Sequence, residues 1–304
     1  MAGNAWLGLL EELARITGSE ECLKYDACPH GGLVFNIDGY AASYSKLPWM
    51  SWEDFGWKSV IAAAADVIAS GGLPRVVLYS VGVTSADEAR RIARGVGKAA
   101  RRIGAVVLKA DTNRAKEDPW IDVAVVGEAE KPVGRRGARP SSYLVQAGIV
   151  GPGLVAEWVL SGRIPESEAS SILELTRRPF VDPRLGGLIS RCNAYAASDN
   201  SDGWAFTIST LLGSSLDAQL YSVESSSEVL GLIARYHSNP QLALFESKED
   251  YSIAIIANKD GAECIVKGCR EIGTRCNIVG RVVEGNGRIY YRGVKVEQDG
   301  WKWF

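Results

Sequence analysis

The sequence predicts a mixed α/β (α+β) fold divided into two domains. The chain has 304 residues, more than one domain usually holds, and its 46% hydrophobic and 23% charged residues are ordinary for a folded globular protein. Segments with strand and helix periodicity alternate along most of the chain. A polar stretch rich in Arg, Pro and Gly interrupts them between Glu128 and Tyr143. We therefore predict domains over residues 1–136 and 137–304.

Composition and charge exclude several classes of partner. The 34 basic residues are balanced by 36 acidic ones, so no global positive field exists to bind nucleic acid. The longest apolar stretch, Val60–Ala69, is interrupted by Asp66 and is far shorter than the roughly 20 residues of a membrane span. The N-terminus lacks the basic start of a secretion signal. We therefore expect a cytoplasmic protein with neither a nucleic-acid nor a membrane partner.

The residues available for chemistry are mainly carboxylates. Only His30 and His237 are present, which excludes a histidine-rich zinc site. The cysteines form no CxxC pair, and a chain of this length does not need a disulfide framework. We expect these cysteines to be mostly buried thiols: Cys22, Cys28, Cys192, Cys264, Cys269 and Cys276.

Capping signals and strand alternation predict the elements of the first domain. Ser51 with Asp54, and Ser85 with Glu88, have the spacing of a capping box, which starts a helix. The first of these helices is expected to stop at Gly71-Gly72. The predicted helices span 4–16, 51–70 and 85–103, and the predicted strands span 33–37, 75–83, 105–110 and 121–126.

The second half of the chain also mixes helices and strands. Asn286-Gly287 is a strong signal for a β-hairpin that pairs residues 281–283 with 288–291, because both residues tolerate the turn conformation. The other predicted strands span 143–150, 251–257 and 277–283. The predicted helices span 154–160, 166–176, 183–191, 204–212, 225–236 and 260–270.

Single aspartates stand at the ends of apolar runs or inside them. Asp38 and Asp111 each follow a predicted strand, and Asp66 interrupts an apolar helix. A buried carboxylate must be paired, hydrogen-bonded or metal-bound, and no Lys or Arg lies three or four residues from Asp66. The alternative is that Asp66 faces water or caps the end of its helix.

A second group of carboxylates, Asp199 and Asp202, precedes the apolar helix predicted over 204–212. These residues, with Ser201, could simply cap that helix. Carboxylates at several separate elements, in a chain with so few histidines, instead favour a hard cation such as Mg²⁺ that also binds substrate phosphates. No GxxxxGK[ST] sequence is present, so a Walker site is excluded. The residues therefore predict a Mg²⁺ and nucleotide site of another kind.

Six segments, taken in order, resemble the thiamine-monophosphate kinase family of the aminoimidazole-ribonucleotide synthetase superfamily. Each segment alone is a weak signal, but their order extends over nearly the whole chain. The segments are Ala65–Pro74 with Asp-x-x-x-x-Gly-Gly-x-Pro, Ala110–Arg114 with Asp-Thr, Arg135–Pro140 with Arg-x-Gly-Ala, Asp199–Gly203 with Asp-x-Ser-Asp-Gly, Glu249–Tyr251 with Glu-Asp-Tyr, and the closing Gly300–Phe304.

The resemblance implies a fold, an activity and a set of site residues. The N-terminal sheet would form a barrel-like interface in a homodimer, with ATP and Mg²⁺ between the domains or at the subunit contact. The γ-phosphoryl group of ATP would pass to thiamine monophosphate, giving thiamine diphosphate. The catalytic residues would be Asp111 and Asp202, the metal ligands Asp26, Asp38, Asp66, Asp111, Asp199 and Asp202, the ATP contacts Asp111, Arg135 and Ser201, and the acceptor contacts Ser45, Glu249 and Trp301.

This activity suits a chain with few histidines. The acceptor oxygen of a phosphate is already ionised near neutral pH, so positioning and charge neutralisation matter more than a catalytic base. A thiazolium cation would gain charge pairing from Glu249 and cation–π attraction from Trp301. The alternative for Trp301 is an aromatic tail that packs on its own domain.

Several positions depart from the family pattern. Asp26 is a single carboxylate where two are usual, and Ser45 falls near the position of a substrate-contacting His. Lys109-Ala110 and Ser247-Lys248 replace Gly-Gly pairs, and Trp303 replaces a His. These departures keep two alternatives open. One is an ATP-dependent paralogue with another acceptor, resembling the hydrogenase-maturation or selenophosphate-synthetase branches, and the other is a catalytically silent dimeric binding protein.

Overall fold

The computed structural model describes residues 2–298, with side chains from residue 8. A five-stranded sheet forms the first half of the molecule. Its strand order is β1-β2-β5-β3-β4, and only β3 and β4 run parallel. The elements are α1 (Ala2–Thr17), a 3-10 turn (Glu20–Lys24), β1 (Cys28–His30), β2 (Leu33–Ala41), α2 (Ala42–Ser45), α3 (Trp52–Ala69), β3 (Leu73–Val83), α4 (Ala86–Arg102), β4 (Val106–Arg114) and β5 (Trp120–Glu128).

Helix α3 covers one face of this sheet, and α4 packs on α3. Both predicted capping boxes are confirmed, at Ser51 for α3 and at Ser85 for α4. The predicted stop of α3 is confirmed as well, because Gly71 follows it with a φ of 80°. Gly95 lets the two helices approach closely, since a Cβ there would lie 1.9 Å from the carbonyl oxygen of Glu53.

A seven-stranded sheet forms the second half, in the order β12-β11-β8-β10-β6-β9-β7. Val145, Ile253 and Ile255 join the core that contains α3, whereas Leu144, Ala254 and Ile256 belong to a second core. The elements are β6 (Tyr143–Ala147), α5 (Pro152–Leu160), α6 (Glu166–Arg177), α7 (Arg184–Arg191), β7 (Ala196–Asp199), α8 (Trp204–Leu212), β8 (Leu216–Leu220), α9 (Ser227–Ala234), α10 (Pro240–Ala243), a 3-10 turn (Leu244–Glu246), β9 (Ile253–Ala257), α11 (Lys259–Ile272), β10 (Cys276–Glu284), β11 (Ile289–Tyr291) and β12 (Val294–Val296).

The predicted hairpin at Asn286-Gly287 is wrong. β10 and β11 do not pair with each other, because β8 lies between them, antiparallel to β10 and parallel to β11. The Asp217 side chain accepts hydrogen bonds from the backbone N–H groups of Asn286 and Arg288, at 2.7 and 2.8 Å. These hydrogen bonds fix the loop between β10 and β11 where it passes over the end of β8. Local turn chemistry could not reveal the intervening strand.

The expectation of buried thiols is also wrong. The six cysteines form three disulfides, Cys22–Cys28, Cys192–Cys264 and Cys269–Cys276. In Cys22–Cys28 and Cys269–Cys276 the paired residues are only six and seven positions apart in the sequence. The Cys192–Cys264 bridge joins the end of α7 to α11. Sequence spacing alone does not reveal which thiols approach within bonding distance, because approach depends on the tertiary fold.

Within residues 2–298, no helix is both long enough and apolar enough to cross a bilayer.

Candidate active site

Three carboxylates from distant parts of the chain meet where the two halves of the molecule join. One carboxylate oxygen each from Asp26, Asp66 and Asp199 lies within 4.8 Å of the others. Asp26 follows the first 3-10 turn, Asp66 lies in α3, and Asp199 ends β7. We call these three residues the carboxylate cluster. Its members come from a loop, a helix and a strand that are far apart in the sequence, so the tertiary fold assembles it.

Asp66 enters the cluster from the buried helix α3. Every residue from Lys58 to Ser70 is buried except Asp66, which is half-buried. Asn36 on β2 donates to Asp66 at 2.6 Å and to Asp38 at 3.1 Å, and Tyr40 also donates to Asp38 at 3.1 Å. Asp38 therefore lies beside the cluster, on the sheet face that α3 covers. It is inside β2 and not at the end of a strand as predicted, because β2 continues to Ala41.

Asp26 is held by contacts from both halves. Its side chain is 1% exposed and accepts from the guanidinium of Arg135 and, at 3.0 Å, from the hydroxyl of Ser198. The backbone N–H of Asp199 donates to its second oxygen at 3.1 Å. Arg135 in turn donates its own N–H to the Lys24 carbonyl at 2.7 Å. These contacts fix the polar segment after β5 against the loop that carries Asp26.

The cluster holds more negative charge than Arg135 neutralises. Burial raises the pKa of Asp66 well above its usual value, and the neighbouring carboxylates Asp199 and Asp38 raise it further. The pKa of Asp199 is raised well above its usual value by the same cause, burial, and then by Asp26. Burial also raises the pKa of Asp38. Such a site favours a bound cation, because a cation would stabilise the ionised carboxylates.

The loop after β7 brings Ser201 and Asp202 to the same region. The Ser201 hydroxyl lies 3.5 Å from an Asp199 carboxylate oxygen. Burial raises the pKa of Asp202, and Arg135 lowers it in part, which places Asp202 within electrostatic reach of the cluster. The helix-cap alternative finds no support at α8, which shows no side-chain capping bond at its start.

Glu249 lies next to this loop in an unusual backbone conformation. Glu249 and Tyr251 have φ values of 54° and 53°, and such left-handed residues typically cost about 1–3 kcal/mol each. Their N–H groups donate to the carbonyls of Ser201 and Asn200, at 2.9 and 3.1 Å. Between them, Asp250 accepts from the N–H groups that begin α5. We call residues 249–251 the acidic turn.

The Ser247 position explains one departure from the family pattern. Ser247 is fully buried, and its hydroxyl donates to Asp250 at 2.5 Å and accepts from the N–H groups of Gly151 and Leu154, each at 3.0 Å. A serine in place of glycine therefore anchors the start of α5. The side chain has a structural role, and it leaves the acidic turn in place.

Lys58, which sequence reasoning did not select, lies at the centre of the remaining predicted contacts. Its ammonium group donates to both carboxylate oxygens of Glu249, at 2.8 and 2.9 Å, and to the carbonyl of Ser45, at 3.1 Å. Ser45 and Glu249, both predicted acceptor contacts, are thus brought together. The sequence signal that could have identified Lys58 is its position in the apolar part of the helix predicted over 51–70, where a charged side chain needs a partner.

A cavity of about 800 Å³ opens beside Lys58 and Glu249. Its wall combines apolar and aromatic side chains with charged ones. The lining includes Tyr44, Leu47, Ala156, Phe245, Glu246 and Lys248. Glu249 therefore borders the cavity, and its N–H bond to the Ser201 carbonyl connects it to the loop that follows Asp199.

The structure does not bring Asp111 to the cluster within one chain. Asp111 lies in β4 opposite Ser80, in a row that continues through Asp122 to Gly39. Asp38 occupies the adjacent row, so its side chain points to the other face of the sheet. Three strand spacings, roughly 14 Å, also separate β4 from β2. Asp111 is exposed, and its role stays a prediction, as does that of Trp301, which lies outside the described residues.

Comparison with known proteins gives consistent matches over the chain. Residues 20–129 match the family model of the AIR synthase related protein, N-terminal domain. The thiamine-monophosphate kinase of Pyrobaculum calidifontis is 29% identical over 275 residues, which cover 90% of this chain and 87% of that protein. The chain is related to the thiamine-monophosphate kinases. The resemblance read from its six segments is therefore confirmed.

Solved structures support the same relationship. The thiamine monophosphate kinase from Aquifex aeolicus superposes with a TM-score of 0.80 at 25% identity, covering 96% of this chain and 97% of that one. A structure of AaThiL complexed with AMPPCP and TMP superposes with a TM-score of 0.82 at 24% identity, covering 98% and 96%. The mixed α/β fold of these kinases is thus confirmed for this chain. The five-stranded sheet is open in the single chain.

Proposed function

We propose that this chain is an ATP-dependent kinase that converts thiamine monophosphate to thiamine diphosphate. The observation that carries the proposal is the carboxylate cluster, assembled from three distant segments in a chain related to the thiamine-monophosphate kinases over nine-tenths of its length. The complex of AaThiL with AMPPCP and TMP, which shares the fold, supports the same pair of substrates.

The donor set fits Mg²⁺. Asp26, Asp66 and Asp199 supply carboxylate oxygens, which Mg²⁺ prefers, and Asp38 and Asp202 lie close enough to add to the negative field. Bound there, Mg²⁺ would neutralise phosphate charge and polarise the transferred phosphoryl group. We propose these five residues as the metal-binding set. Asp111 lies on the opposite face of the sheet from this set. A role for Asp111 in metal or ATP binding would therefore require a site formed with a second copy of the chain.

The chain's own residues would bind and orient the two substrates. Arg135 is fixed beside Asp26 and is 38% exposed, so its guanidinium could also meet a phosphate of ATP. Ser201 presents a hydroxyl beside Asp199. The acceptor phosphate is already ionised and requires no general base, which accords with a chain that has only two histidines. One of them, His237, lines the cavity.

The cavity beside Glu249 is proposed as the acceptor site. Its aromatic and apolar wall suits the two rings of thiamine, and the Glu249 carboxylate suits the positive charge of the thiazolium ring. The acidic turn joins this cavity to the loop that carries Asp199 and Asp202. An acceptor in the cavity could therefore extend its phosphate toward the cluster.

We also propose a cytoplasmic homodimer that associates through the open face of the first sheet. This face carries Phe35, Ile37 and Val106, which are 40%, 70% and 60% exposed. An apolar sheet face of this extent is typical of an interaction surface. Asp111 and Asp122 share the same face, so association would place them at or beside the contact between copies.

A direct assay tests the proposed function. The protein is incubated with ATP, Mg²⁺ and thiamine monophosphate, and both ADP and thiamine diphosphate are measured by chromatography. Equimolar formation of the two products is expected, with none in excess EDTA. ADP without thiamine diphosphate would indicate a different acceptor, and formation of neither product would indicate a silent binding protein.

A further inference from the structure

We propose that Lys58 is a positioning residue that holds the Glu249 carboxylate at the border between the cavity and the carboxylate cluster, where it pairs with the cationic ring of the acceptor. This assignment rests on the proposed function and adds a specificity determinant to it. The observation behind it is an ion pair between Lys58 in helix α3 and Glu249 in the acidic turn, which are 191 residues apart in the sequence.

The hydrogen bonds of Lys58 show that it serves Glu249 and not the acceptor directly. A lysine ammonium has three N–H donors, and those of Lys58 can all be used, two by Glu249 and one by the Ser45 carbonyl. The Lys58 side chain is only 3% exposed. Although Lys58 contributes to the cavity wall, its ammonium group therefore has no spare donor for a phosphate in the cavity.

Glu249, unlike Lys58, can still form further hydrogen bonds or a second ion pair. Its side chain is 33% exposed, and an ionised carboxylate can accept about four hydrogen bonds or pair with a second cation. Because Lys58 contacts both oxygens, the carboxylate is held in one orientation. Because Glu249 lines the cavity, an organic cation there could reach its remaining lone pairs without stripping a full shell of water from a free carboxylate.

The backbone of Glu249 also depends on such an anchor. Its φ of 54° lies in the left-handed region, which a non-glycine residue keeps only when surrounding contacts outweigh the strain. The bond from its N–H to the Ser201 carbonyl and the Lys58 ion pair act on opposite ends of the residue. Loss of Lys58 would free the side chain and weaken one of these two restraints.

Helix α3 links the acceptor contact to the metal site. Lys58 and Asp66 are eight residues apart in this helix, a rise of roughly 12 Å. The same rigid element thus sets the position of Glu249 through Lys58 and supplies a carboxylate to the cluster. This arrangement fixes the spacing between the two ends of an elongated acceptor.

A double-mutant cycle tests the assignment. Lys58→Met, Glu249→Gln and the double variant are compared in the kinase assay with thiamine monophosphate and ATP varied separately. Each single variant is expected to raise the KM for thiamine monophosphate about 10-fold, with the KM for ATP unchanged within about 2-fold. The double variant should match Glu249→Gln alone, because Lys58 acts through Glu249.

Two further variants control for charge and for folding. Lys58→Arg keeps the positive charge and should recover most of the affinity that Lys58→Met loses. Lys98→Met breaks the 2.6 Å ion pair between Lys98 on α4 and Glu53 on α3, and it should leave both KM values unchanged. Each variant is checked for a cooperative thermal transition. If Lys58→Met does not fold, Lys58→Gln, which keeps a donor for the Ser45 carbonyl, takes its place in the cycle.

The outcomes separate this assignment from the proposed function. Multiplicative effects in the double variant would show that Lys58 contacts the acceptor independently, and would overturn the assignment. An active wild-type protein with an unchanged KM in Lys58→Met would overturn the assignment alone. A wild-type protein that forms no thiamine diphosphate would overturn the proposed function, and the assignment with it.

Discussion

At the scale of single residues, the site depends on carboxylates that lie among otherwise buried residues. Asp66 is the only half-buried position in the stretch Lys58–Ser70, and its carboxylate reaches Asp26 and Asp199. Burial raises the pKa of Asp66, and repulsion from the neighbouring carboxylates raises it further. In the absence of metal the cluster is therefore a cost to folding, and its placement is a functional one.

Replacement of Asp66 by Asn should separate activity from stability. Loss of one metal-binding carboxylate should reduce kcat by more than about 100-fold, since even indirect contacts to metal ligands are typically worth 10–100-fold. The thermal midpoint in EDTA should be equal to that of the wild type or higher, because one repelling charge is removed. Steady-state kinetics and calorimetry provide the two measurements.

Asp118→Asn is the control for this variant. Asp118 bonds Ser43 at the surface, outside the cluster, so near wild-type activity is expected. Full activity of Asp66→Asn in saturating Mg²⁺ would remove Asp66 from the metal-binding set.

At the scale of elements, α3 is the part on which most of the site depends. Asp54, which completes the capping box of α3, accepts from the Ser51 N–H and, at 2.5 Å, from the guanidinium of Arg178 at the end of α6. Burial raises the pKa of Asp54, but Arg178 and Ser51 lower it by more, so the net shift is downward. The cap therefore also joins the two halves of the molecule.

Asp54→Asn should destabilise the protein in a pH-dependent manner. Near pH 7 the loss should be roughly 2 kcal/mol, the sum expected for a cap and a charged hydrogen bond. A lowered folded-state pKa contributes stability that is present above the usual value near 3.8 and disappears as the pH falls through the lowered value. The difference between wild type and variant should thus shrink below about pH 4.

Urea unfolding at a series of pH values measures this difference. Glu88→Gln in the exposed box of α4 is the matched control, with an expected loss of about 0.5–1 kcal/mol. A difference for Asp54→Asn that stays constant down to pH 3 would contradict the role of the charged pair.

The Cys22–Cys28 disulfide is a second element-scale feature, because it closes the loop that carries Asp26. The double variant Cys22→Ser with Cys28→Ser should lose roughly 2 kcal/mol of stability, as expected for so short a loop. It should also require about 10-fold more Mg²⁺ for half-maximal activity, since Asp26 is less well held. Metal titration of the assay and thermal unfolding measure the two effects.

The Cys269–Cys276 bridge offers a close control. It closes a loop of nearly the same length between α11 and β10, and Asp26, Asp66 and Asp199 belong to neither element. Removal of both its cysteines should cost similar stability without changing the Mg²⁺ requirement. Equal Mg²⁺ requirements in the two double variants would exclude a special role for the first bridge.

At the scale of the whole molecule, one face of the first sheet exposes apolar side chains that no other part of residues 8–298 covers. Phe35, Ile37 and Val106 form an apolar surface on the side opposite α3. Exposure of such a face is unfavourable, because burial of apolar surface yields about 25 cal/mol per Å². Association of two copies through this face would remove it from water.

Ile37→Glu should therefore convert a dimer to a monomer. A charge placed in the middle of the apolar face would be desolvated without a partner, which opposes association. Analytical ultracentrifugation should show half the mass of the wild type. Leu175→Glu, at an exposed apolar position on α6, should leave the mass unchanged. A wild-type protein that sediments as a monomer would contradict the proposed interface.

The sequence alone determined the features that depend on neighbouring residues. The capping boxes at Ser51 and Ser85, the stop at Gly71 and the helix over 204–212 follow from local hydrogen bonding and periodicity, which act over a few residues. The ordered segments around Asp66, Asp199 and Glu249 also carried the family relationship, because chemistry-bearing residues stay recognisable even where their contacts are unknown.

The tertiary structure decided everything that depends on approach between distant segments. β8 separates the strands on either side of Asn286-Gly287, the six cysteines meet in pairs, and Lys58 reaches Glu249, 191 residues away in the sequence. It also places Asp38 and Asp111 on opposite faces of one sheet, although both end apolar runs. Side-chain direction alternates with each residue of a strand, so a site of this kind is set by strand register and packing, which no local pattern encodes.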